Sequence, residues 1–269
     1  MKNLILTSIL FFSCFISFSQ TAKQNYEQGQ KREKLNDFKG AIEYYNTAIK
    51  LNSKDANIYS SRGNCLYELE DYYGAISDFT KAIELKPNDA EFYYERAQCK
   101  QKLKDNEGAI LDCTMAIQLN PNKTNYYYLR GNCNFNLEND KEAIADFTKW
   151  IELSEYHYYL VYHFRGVCKL RLNDHYGAIS DFMSAIELEP NDNSFDARGL
   201  CKHYLKDYYG AISDYTRAIE LEPKKGNYYN SRAFSKAKLG DMNGCCLDFS
   251  KAGELGYSKA YDYIKKFCQ

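Results

Sequence analysis

The segment DYYGAISDFTKAIELKPND, starting at Asp71, returns almost unchanged as DYYGAISDYTRAIELEPKK at Asp207, four steps of 34 residues later. The same line recurs at each intermediate step and at both ends. GAIEYYNTAIKLN begins at Gly40, GAILDCTMAIQLNP at Gly108, EAIADFTKWIELS at Glu142, GAISDFMSAIELEP at Gly177 and GCCLDFSKAGELG at Gly244. Seven copies tile nearly all of the chain. A period of this length excludes an ordinary single-core domain and predicts an array of stacked units, each burying its apolar face on its neighbours.

One copy, residues 56–89, shows what the unit is. Ile58, Tyr59, Cys65, Leu66 and Leu69 fall on one side of a first helix, and Ala75, Ile76, Phe79, Ala82 and Ile83 on one side of a second. A short turn at Glu70–Asp71 joins them. Pro87, Pro121, Pro190 and Pro223 share one repeat position just past the second helix, where proline cannot continue it. Gly29, Gly63, Gly131, Gly166 and Gly199 share a position in the middle of the first helix, with Ala97 and Ala233 in the remaining copies. Glycine there costs about 1 kcal/mol against alanine, so something must pass close. The spacing nominates the small residue twelve positions on: Ala41, Ala75, Ala109, Ala143, Ala178, Ala211 or Cys245.

A helix-turn-helix of 34 residues with Gly/Ala, Ala, Phe/Tyr, Ala and Pro in this order resembles the tetratricopeptide repeat. The resemblance implies an all-α fold, a right-handed α-solenoid of stacked repeats over 22–55, 56–89, 90–123, 124–157, 159–192, 192–225 and 226–259. A capping helix follows over 258–268, presenting Ala260, Tyr261, Ile264 and Phe267 to the last repeat. It also implies a binding scaffold and not an enzyme, and no cofactor. Some family members grip a C-terminal carboxylate with a lysine and asparagines. That set would need lysine at Ser60 and asparagine at Glu95, or lysine at Tyr128 and asparagine at Phe164, so this chain lacks it.

One departure is systematic. Arg62, Arg96, Arg130, Arg165, Arg198 and Arg232 stand one residue before the small position, where many such repeats have leucine. Sixteen residues beyond each lies Asp78, Asp112, Asp146, Asp181, Asp214 or Asp248, and in the first copy both charges vanish together, as Gln28 and Tyr44. Joint loss predicts an ion pair within each repeat that fixes the register of the hairpin, since a buried pair adds little net stability. The fourth copy is irregular. Trp150 replaces the small alanine, Glu155 stands where proline is expected, and the passage to the fifth copy is one residue longer while the next is one shorter. A change in stacking angle is expected there.

The first twenty residues differ in kind. Lys2 precedes an apolar run from Leu4 to Phe18, shorter than the roughly 20 residues of a membrane span. Ser17 and Ser19 sit as in a leader-peptide cleavage site, so residues 1–19 read as a signal peptide with export to the periplasm, the outer membrane or outside the cell. The alternative is a retained membrane anchor. Of the ten cysteines, Cys65, Cys99, Cys133, Cys168 and Cys201 repeat at one position. Equivalent positions in stacked repeats lie roughly 10 Å apart, beyond the reach of a disulfide, so these five are core residues. Only among Cys245, Cys246 and Cys268 is there room for a bridge.

Net charge is −1, which gives no electrostatic footprint for nucleic acid. The four histidines are scattered, and no phosphate loop, C-x-x-C pair or H-E-x-x-H occurs. Function is therefore expected on the first helices, along a stripe whose later part turns apolar. Tyr128, Phe135, His163, Val167, Leu170, Leu200, His203 and Phe234 are expected to form a groove for a protein or peptide. The alternative is an accessory or carbohydrate-binding subunit of an envelope enzyme, its tyrosines stacking on sugars.

Overall fold

The computed structural model describes residues 21–268, so the expected leader, 1–19, lies outside the described residues. All regular structure within them is helical. Helix α1 covers 21–34, and α2 is Phe38–Leu51. The following pairs are α3 (Ala56–Glu68) with α4 (Tyr72–Leu85) and α5 (Ala90–Lys102) with α6 (Asn106–Leu119). Next come α7 (Thr124–Asn136) and α8 (Asp140–Leu153), then α9 (Tyr159–Arg171) with α10 (His175–Leu188). The chain ends with α11 (Asp192–Tyr204), α12 (Tyr208–Leu221), α13 (Gly226–Lys238), α14 (Met242–Glu254) and α15 (Ala260–Phe267). Two compact units divide at Cys133 and Asn134. Consecutive helices pack on one another from α2 to α6 and from α8 to α15, and first helices of successive repeats also touch: α3 with α5, α9 with α11, α11 with α13. That is the arrangement of an α-solenoid. Among the described residues no helix is long and apolar enough to cross a membrane.

Each second helix begins by one device. Asp37, Asp71, Asp105, Asp174, Asp207 and Asp241 cap it, each accepting a hydrogen bond from the backbone N–H of a glycine three residues on. A Cβ on Gly74 would lie 2.5 Å from the capping carboxylate, which explains why glycine occupies an otherwise poor helical position. In the fourth repeat both halves are lost together: Asn139 makes no side-chain cap and Glu142 replaces the glycine. The turns between paired helices each place one residue in the left-handed region, such as Glu70 at φ 62° and Asn173 at φ 62°. Asp71 N–H then reaches back to the Leu66 carbonyl at 2.9 Å, closing the preceding helix.

The mid-helix glycines face rings, not the small residue twelve positions on, which corrects the expectation from spacing. The nearest atoms to a Cβ on Gly63, Gly166 or Gly199 are ring carbons of Phe79, Phe182 and Tyr215, at 2.9, 2.8 and 2.9 Å. Each ring lies sixteen residues later, one helical turn beyond the nominated alanine. Glycine leaves room for an aromatic ring to lie flat against helix backbone, and Phe79, Phe182 and Tyr215 are each fully buried in their repeat's core. Trp150 is 8% exposed, so it is accommodated inside the second unit and not turned outward. The connection before α9 has the extra residue and that before α11 is short, as α8 ends at Leu153 and α10 at Leu188.

The last helix closes the apolar end. Its inward residues are Ala260, Tyr263, Ile264 and Phe267, packed on Ala233, Cys245 and Phe249. Tyr261, expected inward, is 55% exposed. The helix starts at Ala260, and the i, i+3, i+4, i+7 set counted from there selects Tyr263. A disulfide joins Cys246 of α14 to Cys268, while Cys245 is a free, buried thiol.

Cys65, Cys99, Cys133, Cys168 and Cys201 are all free and fully buried. Burial pushes each thiol up to about 12. A thiol that is neither ionised nor reachable does not react. Iodoacetamide applied to the native protein should label none of these five, and all five after unfolding. Rapid native labelling, read by mass spectrometry, would contradict their place in the core.

Candidate functional site

In five repeats the arginine and aspartate singled out by the repeat pattern meet within their own repeat. Arg62 Nε and Nη2 donate to the two oxygens of Asp78 at 2.7 and 2.6 Å. Arg96 binds Asp112, Arg165 binds Asp181, Arg198 binds Asp214 and Arg232 binds Asp248 in the same two-pronged way. Arg130 lies in the first unit, where it donates to Thr114, and Asp146 in the second, where it accepts from Asn134.

Two further partners were not anticipated. A lysine four residues after the arginine reaches the same carboxylate at 2.8 Å in four repeats, as Lys100, Lys169, Lys202 and Lys236. The recurrence of lysine at that position was the available signal; Leu66 and Asn134 interrupt it. The arginine's third nitrogen turns the other way, to the second helix of the preceding repeat. It meets Thr80 from Arg96, Thr148 from Arg165 and Thr216 from Arg232, each at 3.0 Å. The guanidinium also sits 5.5–5.9 Å from the ring three residues before it. One arginine thus ties two helices of one repeat and the repeat before it. These charges are consumed by structure and offer a ligand little.

The stripe expected to form a groove is half-buried throughout. In the second unit, Val167 and Leu170 pack on Ala178, Phe182 and Cys201. Phe135 lies 4.9 Å from the Phe164 ring, with the Arg171 guanidinium 4.5 Å from its face. His163 Nδ1 pairs with Ser194 Oγ and His203 Nδ1 with Ser235 Oγ, both at 2.8 Å, and burial lowers both imidazole pKa values. Phe234 packs edge-on against Phe249 and Tyr263, under the terminal helix. Helices on this face approach closely enough to cover much of each apolar side chain. The open wall expected from sequence is therefore a partly closed one. Leu200, His203 and Phe234 remain together as the lining of a cleft of about 240 Å³, with Tyr204 and Asn230. Tyr128 is half-buried on α7 in the first unit.

The larger cleft is in the first unit, about 740 Å³; the early, polar part of the stripe lines it, but only the later, apolar part was expected to carry contact. It runs across α1, α3 and α5, lined by Gln30, Glu33, Asn64, Tyr67, Glu95 and Gln98 among others. Glu95 accepts hydrogen bonds from Ser60 Oγ at 2.9 Å and Asn64 Nδ2 at 3.0 Å. Burial and the nearby Glu91 and Asp89 push its carboxyl up to about 7. In the second unit burial also pushes Asp196 up to about 6. Among the described residues no group of three or more His, Cys, Asp or Glu side chains is placed to hold a metal ion.

Residues 56–89 and 79–110 match profiles described as Tetratricopeptide repeat, as do 124–157, 159–192 and 194–225, and residues 29–70 match one described as TPR repeat. No curated protein matches significantly. Among solved structures, the C-terminal part of a TPR repeat-containing protein from Cytophaga hutchinsonii is similar at 20% identity and TM-score 0.71, over 88% of this chain and 98% of that one. A tetratricopeptide repeat protein from Parabacteroides merdae aligns at 19% identity and TM-score 0.62, over 92% and 97%. YrrB, described as a TPR protein with an unusual peptide-binding site, aligns at 22% identity and TM-score 0.63, over 70% and 97%. With the repeat profiles covering most of the chain and the helix pairs packed as they are, this chain belongs to the tetratricopeptide repeat family.

Proposed function

We propose that this protein is a non-catalytic scaffold that binds a protein or peptide along its first helices, in the cell envelope or outside the cell. The observation that carries this reading is the pair of clefts, one in each unit, both formed mainly by first helices of consecutive repeats. A face built by repetition offers a row of side chains at regular spacing, which suits an extended or helical segment. The peptide-binding site described for YrrB supports it by analogy of fold. In the second unit the contact surface is the accessible edge of Phe135, His163, Val167, Leu170, Leu200, His203 and Phe234, and in the first unit Tyr128 is the proposed contact residue.

Export is supported by the Cys246–Cys268 disulfide, since such bonds persist in oxidising compartments. A second reading, an accessory or carbohydrate-binding subunit of an envelope enzyme, is favoured by Tyr73, Tyr176 and Tyr209. These occupy one repeat position and are exposed, as sugar-stacking rings need to be. Peptide and glycan arrays probed with the full chain separate the two readings, with glycoside and peptide hydrolysis assayed alongside. Selective peptide binding without turnover is expected. Glycan binding abolished by Tyr176→Ala with Tyr209→Ala would establish the second reading instead.

A further inference from the structure

The buried aspartates at the repeated position on the second helices are given cations. Asp78, Asp112, Asp181, Asp214 and Asp248 each hold an arginine, four of them a lysine as well, and Asp140 has Arg171 at 3.2 Å. Glu95 has no cation bonded to it. Its two oxygens take one neutral hydrogen bond each, from Ser60 and Asn64, and each oxygen keeps a further acceptor site. Its charged neighbours Glu91 and Asp89 have its own sign. It lines the 740 Å³ cleft, where Glu33 and Glu68 add two carboxylates against the one cation Lys34. Phe38, Tyr67 and Phe79 line the same cleft. A partly buried carboxylate with open acceptor sites, surrounded by acid and flanked by rings, matches a side chain with an aliphatic stem and a cationic head.

We propose that the first-unit cleft binds a lysine or arginine side chain of an extended peptide, the cationic head on Glu95 and the stem against Tyr67 and Phe38. This deepens the scaffold reading and rests on it. A bound cation supplies what the structure withholds from Glu95, a charge partner that offsets its desolvation. Ser60 and Asn64 hold the carboxylate in one orientation, so little ordering is left for the ligand to impose. The groups facing the site are Asp89 and Glu91 on or beside α5, Tyr67 and Glu68 on α3, and Glu33 and Lys34 on α1. No histidine lines the cleft, so near neutrality the titration that governs binding is that of Glu95. Ionisation of Glu95 across pH 6 to 8 then sets the pH dependence. A carboxyl titrating near 7 is about one-tenth ionised at pH 6 and about nine-tenths at pH 8. Affinity for a cation should rise about tenfold over that interval.

The test uses the full chain and fluorescent peptides of one length, capped at both ends, with a central lysine, arginine, norleucine or glutamate in an alanine and glycine background. The lysine or arginine peptide should bind at least about tenfold tighter than the norleucine peptide, and tighter at pH 8 than at pH 6. Glu95→Gln should erase both the preference and the pH dependence, while Lys251→Ala, at an exposed ion pair in the other unit, should leave both intact. Equal binding of the norleucine peptide, full retention in Glu95→Gln, or no binding of either basic peptide overturns the proposal. In each of those cases peptides selected on the second-unit stripe still decide the scaffold reading separately. Glu95→Gln is also expected to melt no lower than the wild type at pH 8, because it removes a desolvated charge, so loss of binding is not loss of fold.

Discussion

Asp181→Ala should destabilise the protein by about 3–5 kcal/mol, among the largest effects of any single substitution. The carboxylate accepts from Arg165 Nε at 2.9 Å, Arg165 Nη2 at 2.6 Å and Lys169 Nζ at 2.8 Å. Those two side chains are only 15% and 19% exposed, so deleting the acid leaves two cations close together and poorly hydrated. The cost is that of stranded charge, not of the lost attraction. Hence Asp181→Leu combined with Arg165→Met and Lys169→Met should recover most of the loss, because buried ion networks exchanged for apolar side chains of similar volume are often neutral. What the triple variant should lose is definition: Arg165 also bonds Thr148 of the preceding repeat, and no apolar residue reproduces that registry. Lys81→Ala provides the control. Its pair with Glu84 is about half exposed on both sides and should shift the denaturation midpoint almost imperceptibly. If Asp181→Ala resembled this control in urea unfolding, the network would be decoration.

The second large effect is expected at the C-terminal end. Replacing Cys246 and Cys268 by serine opens a crosslink spanning 22 residues, and loop-closure entropy puts its contribution at about 3 kcal/mol. The loss should be local. Helix α15 is short and is held otherwise by Tyr263, Ile264 and Phe267 against Phe234 and Phe249. An eight-residue helix has no stability of its own, so its order depends on that docking. Amide exchange in α15 should accelerate in the double serine variant and in reduced wild type, whereas α3 to α6 keep their protection. A solenoid transmits stability mainly between neighbours, which is why the effect should fade along the chain. Unchanged exchange in α15 would mean that ring packing alone holds the end.

Much of this was legible in the residues because the chain repeats itself. A period of 34 gives seven readings of each position, so the helix pairs, the buried cysteines and the Arg–Asp partnership could be argued from recurrence and joint loss. Features that depend on the angle around a helix were less accessible. Gly63 is followed after twelve residues by Ala75 and after sixteen by Phe79, both on the inward side, and spacing alone does not say which fills the gap. Tyr261 and Tyr263 exchanged roles for a similar reason, the terminal helix beginning two residues later than expected. The site was the least legible part. A stripe on one helix does not reveal how closely the next helix lies, and that distance decides whether Leu170 faces a ligand or Phe182. Glu95 was legible only as a place where a carboxylate clamp lacks its asparagine, because its environment comes from two repeats: Ser60 and Asn64 belong to one, Glu91 to the other. Read along its own helix, it is an ordinary surface glutamate.

The central claim is that the first helices of the second unit carry a contact surface for an apolar peptide or partner helix, separate from the first-unit cleft proposed for basic side chains. The measurement that bears on it most directly is the affinity of peptides selected on the full chain, compared between wild type, Leu170→Ser with Leu200→Ser, and Tyr67→Ala. Leu170 packs in the second unit's core and Leu200 lines its cleft, so melting temperature is recorded for each variant to separate binding from folding. Loss of two partly buried leucine contacts should weaken binding by a factor of about ten or more, while Tyr67→Ala leaves apolar peptides bound. Full affinity of apolar peptides in the double serine variant, with their binding abolished by Tyr67→Ala, would place that ligand in the first unit and contradict the claim.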